Sequence, residues 1–420
     1  MKRLSLALVS FAALGLAMPI AASAQDKVTV EFWTMSLKPK FTPYFQNLVK
    51  QYEAANPAVK IEWVDVPWDV IQSKLTASIA AGQPPALVAL NVPWAYEYSL
   101  NGVIQPVDGL FGKDIGLYAD GAIKDVTFNG RPYGFPHYNG ASILAYNKTL
   151  FAKAGITKVP TTLDEQLAAA KTLKAKTGQA GFSPALGKIA GLFMQEGLPL
   201  VENNKAVFNS PKHVAMLAKF ADAYKSGALL KDNLFAEDNF QTSIDAYKSG
   251  RLGQLVAPPS ALTRVRDDAK DIYAVTEVAP APLSDSKIAA GGWLFHFAVP
   301  KGISGPTLAE AGKFGKFVTN DVNQVEFSKL AGTFPTTRKA AQDPFFQSLK
   351  SDAGAFEKGV ATGARSLDSI RTLYVAGVPD YEVLNKRLQD ATEAAVIGRK
   401  DIKVSLDEAA AFWNAKLAAK

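Results

Sequence analysis

Between Val28 and Leu90 the chain switches repeatedly between two hydrophobic periods, with short connections. Val28 to Phe32 is a short run rich in β-formers. Phe45, Leu48, Val49 and Tyr52 then recur at i, i+3, i+4 and i+7, one face of a helix over Tyr44 to Ala55 that Asn56-Pro57 stops. Val59, Ile61 and Trp63 alternate as a strand does. Ile71, Leu75 and Ile79 mark a second helix ending at Gly82, and Leu87 to Leu90 is a third strand. Strand, helix, strand, helix, strand with short links predicts a parallel, doubly wound α/β sheet.

The chain has 420 residues, so more than one such unit is expected. It is 48% hydrophobic and 20% charged, enough apolar material for real cores, which excludes a mostly disordered chain. It has no cysteine. Disulfides, thiol nucleophiles, zinc–thiolate sites, iron–sulfur clusters and a lipid-modified N-terminal cysteine are therefore excluded. The N-terminus reads as an export signal over residues 1–24. Lys2 and Arg3 precede an apolar stretch from Leu4 to Ile20, and Ala22-Ser23-Ala24 is a small-x-small cleavage site before Gln25. No later stretch is long and apolar enough to span a bilayer, so a diffusible periplasmic protein is expected. Without the two signal cations, 44 basic residues stand against 39 acidic ones in a dispersed pattern. That argues against nucleic acid as a partner, which would want a concentrated basic stripe.

Beyond Leu90 the punctuation changes. Asn129-Gly130 between Val126-Thr127-Phe128 and Tyr133 signals a hairpin turn. Gly134-Phe135-Pro136 then leads to a new apolar strand over Ser142 to Tyr146, a first candidate crossover between domains. Thr162 with Glu165, and Ser405 with Glu408, read as capping boxes, and Ser210-Pro211 as a helix start. Gly291-Gly292-Trp293 precedes an alternating strand and marks a second crossover. Gly332 to Thr337 marks a third. There is no internal repeat.

Catalytic signatures are missing. A phosphate loop fails because one residue too many separates Gly181 from Gly187-Lys188, and Ile189 stands where a hydroxyl is required. No Gly-x-Ser-x-Gly elbow occurs. Ser284 and Lys287 match Ser-x-x-Lys only in a polar loop. His137, His213 and His296 have no metal-ligand spacing, so no metal and no cofactor is expected.

The tryptophans are more informative. Trp33, Trp68 and Trp94 follow three successive strand ends, where open α/β sheets bind ligands. An indole offers a flat face to the C–H side of a sugar ring and an N–H donor. Thr34, Asp65, Asp69 and Asn91 stand beside them for hydroxyls. Packing at a domain edge would place the same residues there. Trp63, inside the strand alternation, and Trp413, on the last amphipathic helix, read as core.

The order of these pieces resembles the carbohydrate-type extracellular solute-binding proteins of bacterial ABC importers, the group that includes maltose-binding protein. Glu31-Phe32-Trp33 with the helix ending Tyr52-Glu53-Ala54-Ala55-Asn56-Pro57 is similar to the family's opening. Gly82-Gln83-Pro84-Pro85-Ala86-Leu87-Val88 and Asn129-Gly130-Arg131-Pro132-Tyr133-Gly134-Phe135-Pro136 resemble its next elements. Tyr146-Asn147-Lys148-Thr149-Leu150-Phe151-Ala152-Lys153-Ala154-Gly155 is the most specific match. Phe208-Asn209-Ser210-Pro211 and Gly291-Gly292-Trp293 are weaker ones.

The resemblance implies two doubly wound α/β lobes joined by hinge crossovers, the periplasmic binding protein arrangement of class II. One lobe would comprise residues 25–136 and 291–335, the other 137–290 and 336–420. It implies a monomer without enzymatic activity that closes on a ligand and docks on an inner-membrane ABC permease. The ligand contacts it implies are Trp33, Thr34, Trp68, Asn91, Tyr138, Ser260, Gly292 and Trp293, with Arg338 a weaker one. Trp293 is expected to stack on the ligand, although packing beside Phe295 and Phe297 would look the same in sequence. The expected ligand is a neutral carbohydrate, a mono- or oligosaccharide or a sugar alcohol. A phosphorylated polyol or other charged solute is the alternative, and a periplasmic carbohydrate hydrolase the next.

Overall fold

The computed structural model describes residues 27–419 apart from 69, 237–238, 285, 290, 348–351, 368, 376–377 and 379. The export signal over residues 1–24 and Asp69 lie outside the described residues.

The opening is built as its periodicity requires. Strand β1 (Val28–Met35) leads to helix α1 (Thr42–Ala55), β2 (Val59–Val66), α2 (Ile71–Ala80), β3 (Leu87–Asn91) and α3 (Val92–Leu100). β1 pairs in parallel with β2, Val28 opposite Val59, and with β3, Phe32 opposite Leu87. α1 buries Tyr44, Phe45, Leu48 and Tyr52, and Pro43 sits in its first turn, where a missing N–H costs nothing. Gly82 ends the α2 region at φ +71°, a torsion that needs glycine. Phe32 anchors the core between Phe297 at 4.8 Å, Phe314 at 5.2 Å and Phe45 at 6.1 Å between ring centroids.

The same sheet is then completed from far along the chain. Phe295–Pro300 runs antiparallel to β3, with His296 opposite Leu90. Gly134–Asn139 lies beyond it, with Phe135 opposite Phe297. Phe334–Pro335 forms the far edge beside Asn139 and Tyr138. The Asn129-Gly130 turn joins Thr127–Phe128 to Arg131–Pro132, with φ of +51° and +79° as a two-residue hairpin of the mirror-image type needs.

A second sheet has Ile143–Asn147 at its centre, flanked by Gln254–Ala257 and Thr276–Pro280. The unit around it is α/β, as expected, but the central strand runs antiparallel to both neighbours rather than parallel. Isolated parallel bridges, Ala180 to Leu252 and Phe182 to Leu229, continue beside it. Helices Pro211–Lys225, Tyr381–Val396 and Ile402–Leu417 share its larger core. Trp413 is fully buried there and donates its indole N–H to the Leu384 carbonyl at 2.8 Å.

The chain passes between the sheets after Asn139, before the strand that opens at Ile143, and again after Pro280, before the strand that opens at Phe295. The strand Gly134–Asn139 stays in the first sheet through 139, a little past the anticipated crossing after Pro136. A later segment, 370–375, touches both units. Thr372 donates its backbone N–H to Asp125 in the first unit and accepts from the Leu294 N–H through its hydroxyl. Tyr374 packs on Tyr96 at 5.3 Å, while Val375 lies against the second core.

Candidate functional site

Two groups of predicted residues come together, and others do not. The first group is an aromatic ledge at the carboxyl ends of the first sheet. Trp68 is 46% exposed and meets Trp94 at 4.9 Å and Phe295 at 5.8 Å. Phe295 stacks on Tyr138 at 5.1 Å with an interplanar angle of 21°. Burial raises the Tyr138 hydroxyl well above its usual range, so it stays protonated. Asn91 pairs with Phe295 across the sheet and caps α3, accepting from the Trp94 backbone N–H at 2.9 Å. Its side-chain oxygen is thus committed to a cap.

Trp33 is not on this ledge. It is 2% exposed, donates its indole N–H to Glu31 at 2.5 Å, and carries the Lys74 ammonium of α2 over its ring at 4.4 Å. The strand continues to Met35, so Trp33 lies within the alternation rather than after it. Thr34 is also buried. Its hydroxyl donates to Asp65 and accepts from the Trp63 indole. Asp65 in turn accepts from the Leu37 and Lys38 N–H groups, so both polar side chains hold a turn.

The second group lines a cleft of about 380 Å³ where the chain crosses between the sheets. Trp293, Gly291, Gly292, Ser142, Arg371 and Leu373 line it from the crossing segments. The Trp293 backbone N–H donates to Asn139 Oδ1 at 3.1 Å, which also holds the Gly140 N–H at 2.8 Å. Gly140 lies under the indole: a Cβ there would stand 2.0 Å from Cε2 and 2.2 Å from Cδ2. Gly292 admits the Arg371 backbone, whose carbonyl oxygen would lie 2.1 Å from a Cβ at 292. These two glycines are required by close approach.

The facing wall belongs to the second unit and is polar. Ser183 and Ser243 share a hydrogen bond of 2.8 Å, and Asn239 donates to the Pro184 carbonyl at 3.1 Å. Gln195, Lys188 and Phe240 complete it. Two cations, Lys188 and Arg371, line the cleft, and no carboxylate does among the described residues. Arg371 donates to the Ile370 carbonyl at 2.6 Å. Its charge is partly balanced by Asp125, whose carboxyl is raised to about 6 by burial against the opposing pull of the Thr372 N–H and the guanidinium.

Ser260 and Arg338 stand outside the cleft. Ser260 opens the helix Ser260–Asp268 and packs on Gly332, whose Cβ would be 3.0 Å from its own. Arg338 pairs with Asp120 at 2.6 Å on the surface. Among the described residues no group of His, Asp and Glu is placed to hold a metal ion. Ser183, Lys188, Asn239, Ser243 and Arg371 were not anticipated. They come from loops and helix ends with no motif, and only their meeting in space sets them apart.

Two α/β units with a cleft where the chain crosses between them define the periplasmic binding protein fold, which solved structures share. A protein of Synechococcus assigned as an oligosaccharide periplasmic-binding protein superposes with a TM-score of 0.81 at 24% identity, over 93% of this chain and 99% of that one. The chain belongs to the bacterial extracellular solute-binding protein family, whose profile matches residues 47–355. A Brucella abortus protein named as a binding protein without a stated ligand is 24% identical over 96% of this chain and 97% of its own. The sn-glycerol-3-phosphate-binding periplasmic protein of Shigella flexneri is 24% identical over 96% and 95%. The family comprises extracellular small-solute receptors of ABC transport, sugars and polyols among their ligands.

Proposed function

We propose that this chain is the periplasmic receptor of an ABC importer and binds a neutral sugar or sugar alcohol in the cleft at Trp293. The observation that carries this reading is the seating of the indole. One face rests on the Gly140 backbone, and the residue lines the cleft, so the other face is available to a sugar ring. Opposite stand hydroxyl and amide groups of Ser183, Asn239, Ser243 and Gln195, suited to sugar hydroxyls. The unit around the first sheet, its strand carried through Asn139, and the unit around the second sheet act as two lobes. They close about the crossing segments as a monomer and present the loaded cleft to the permease. A thermal-shift screen against sugars and polyols tests the reading, because a solute that binds only the folded state must raise its melting temperature. Trp293→Ala should cost about 1–3 kcal/mol of binding to the solute that screen identifies. Full affinity in that variant would refute the reading.

A second reading, a phosphorylated polyol, is favoured by Lys188 and Arg371 in a cleft without a carboxylate among the described residues. Lys188 makes no ion pair among the described residues. The neutral ligand is preferred because Asp125 already answers the Arg371 charge. A phosphate ester that binds more tightly than its parent polyol, and loses that advantage in Lys188→Gln, would decide for the second reading.

A further inference from the structure

Part of the polar wall of the cleft is one helix face, and the end of that helix is tied to the chain that crosses between the sheets. Lys188, Gly191, Leu192 and Gln195 line the cleft at i, i+3, i+4 and i+7, along the helix Ile189–Gln195. The last four carbonyls of a helix have no partner within it. Here three are answered by the turn that follows. Leu192 accepts from the Glu196 N–H at 3.1 Å, Met194 from Gly197 at 3.0 Å and Phe193 from Leu198 at 2.8 Å. The fourth, on Gln195, is answered from the crossing segment between Pro280 and Phe295. The Ser284 hydroxyl donates to it at 2.5 Å and the Ser286 hydroxyl at 2.6 Å, and the two hydroxyls lie 2.6 Å apart. Each hydroxyl has one proton, so however the pair turns, one of them can donate to the carbonyl.

The serines are themselves held. The Leu283 N–H beside them donates to the Thr161 carbonyl at 2.9 Å. Ser284 accepts from the Ser286 N–H, and Ser286 from the Ile288 N–H, both at 3.2 Å. Gly197, at φ +73°, brings the turn against Ser286, where a Cβ on the glycine would stand 3.4 Å from the serine Cβ. Further along, the same segment delivers Gly291, Gly292 and Trp293 to the cleft. The indole and the Gln195 face are therefore fixed to one stretch of chain. Its grip on the Gln195 carbonyl sets where that face stands relative to the ring. Both serines also border a groove of about 630 Å³, so water can answer the carbonyl if the hydroxyls are removed, but water does not tether it. We propose that Ser284 and Ser286 are positioning residues for the bound solute, clamping the helix Ile189–Gln195 so that Gln195 meets a ring stacked on Trp293. This rests on the cleft at Trp293 being the sugar site.

The test compares the full mature chain with Ser284→Ala, Ser286→Ala and the double variant. Hydrogen exchange of the ligand-free proteins comes first. Amides over 192–198 should exchange roughly tenfold faster in the double variant, while those of β1 to β3 keep their native rates. Calorimetric titration then uses whichever of maltose, mannitol and diacetylchitobiose raises the melting temperature most. The double variant should bind it about tenfold more weakly, and by more than the product of the two single losses, because each single variant keeps one donor. Gln195→Ala keeps the carbonyl and removes the amide that the clamp positions. In that background the double change should cost no more than about threefold, whereas a merely structural role would add its full loss. Native exchange over 192–198, native affinity in the double variant, or full additivity with Gln195→Ala would overturn the proposal. Trp293→Ala keeps the two readings apart. If it weakens binding while the serine variants do not, the clamp falls and the cleft stands. If it changes nothing, the cleft reading falls, and the solute role of the clamp with it. If none of the three solutes binds, exchange over 192–198 decides the clamp by itself.

Discussion

Trp293 rests face-on against Gly140, so close that a Cβ at position 140 would lie 2.0 Å from the indole Cε2. Asn139 ties the two together by accepting from both the Gly140 and the Trp293 backbone N–H groups. The glycine thus acts as a seat for the ring, and the ring orientation depends on that seat being bare. Gly140→Ala should tilt the indole away and weaken sugar binding at least tenfold, about 1.4 kcal/mol. The melting temperature of the ligand-free protein should drop only by a few degrees. Calorimetric titration beside thermal unfolding checks this, and an unchanged dissociation constant would show that ring orientation does not matter.

The ledge and the strand tryptophan should separate cleanly. Trp33→Ala empties a buried site under α2 and should cost about 3–5 kcal/mol of stability. Trp68 is half-exposed against Trp94 and Phe295, so Trp68→Ala should cost roughly 1 kcal/mol or less of stability. If the ledge meets the ligand on closure, Trp68→Ala also lowers affinity and removes part of the tryptophan fluorescence change on binding. Denaturant melts and a fluorescence titration read both quantities on the same samples.

Much of the fold could be read before the structure because it depends on local periodicity. The parallel core of β1, β2 and β3 follows from alternation and helical spacing, and the Asn129-Gly130 hairpin from one dipeptide. Thr162 caps its helix as expected, accepting from the Glu165 N–H at 3.2 Å. Ser405 does not cap the last helix. Asp401 starts it a turn earlier, accepting from the Val404 N–H at 3.0 Å, and Ser405 is buried within it. Two cap patterns lay within one turn, and the sequence pattern alone does not rank them. The site was less legible. Trp293 and Gly292 were visible as a glycine-rich edge before a strand, but Trp33 could not be told from a strand-end residue until β1 was seen to reach Met35. Arg371, Asn239 and Ser183 have no periodicity to betray them. They meet only because the 370–375 segment returns to the first unit through Thr372 and Tyr374.

Acid should destabilise the protein through two buried histidines. Burial lowers His137 and His296 to about 3, so both stay neutral in the folded protein. The unfolded chain binds protons at both below about pH 6.5. A base with a depressed folded-state pKa therefore stabilises fully above pH 6.5 and less as pH falls toward 3. Each histidine should contribute a slope of about 1.4 kcal/mol per pH unit in that window. Neither ring nitrogen of His296 has a partner, so His296→Leu orphans nothing and should flatten the slope by one proton. Urea melts between pH 7 and pH 4.5 would show it, and an unaltered slope would mean that His296 protonates in the folded state.

Asp125 should act with the opposite sign. Its carboxyl accepts from the Thr372 N–H at 3.0 Å and lies in the field of Arg371, but burial outweighs both and raises it to about 6. In the unfolded chain it titrates near its usual 3.8. Between those values the folded state holds more protons than the unfolded one, so stability falls as pH rises. The contribution is complete below about pH 3.8 and lost on passing through about pH 6, roughly 3 kcal/mol in all. Asp125→Asn keeps an acceptor for Thr372 and removes the charge. The variant should therefore gain stability relative to the native protein as pH rises from 4 to 7. The 370–375 segment also carries Arg371 and Leu373 into the cleft, so a change at Asp125 should be felt by the ligand. Above pH 6 the native carboxylate is charged and offsets the Arg371 guanidinium, whereas the neutral amide of the Asp125→Asn variant removes that counter-charge beside the cleft. A phosphorylated polyol should then bind Asp125→Asn more tightly than the native protein at pH 7, and a neutral sugar should not. Titrations of both solutes at pH 5 and pH 7 decide it; equal gains for the two would show that the segment, not the charge, carries the effect.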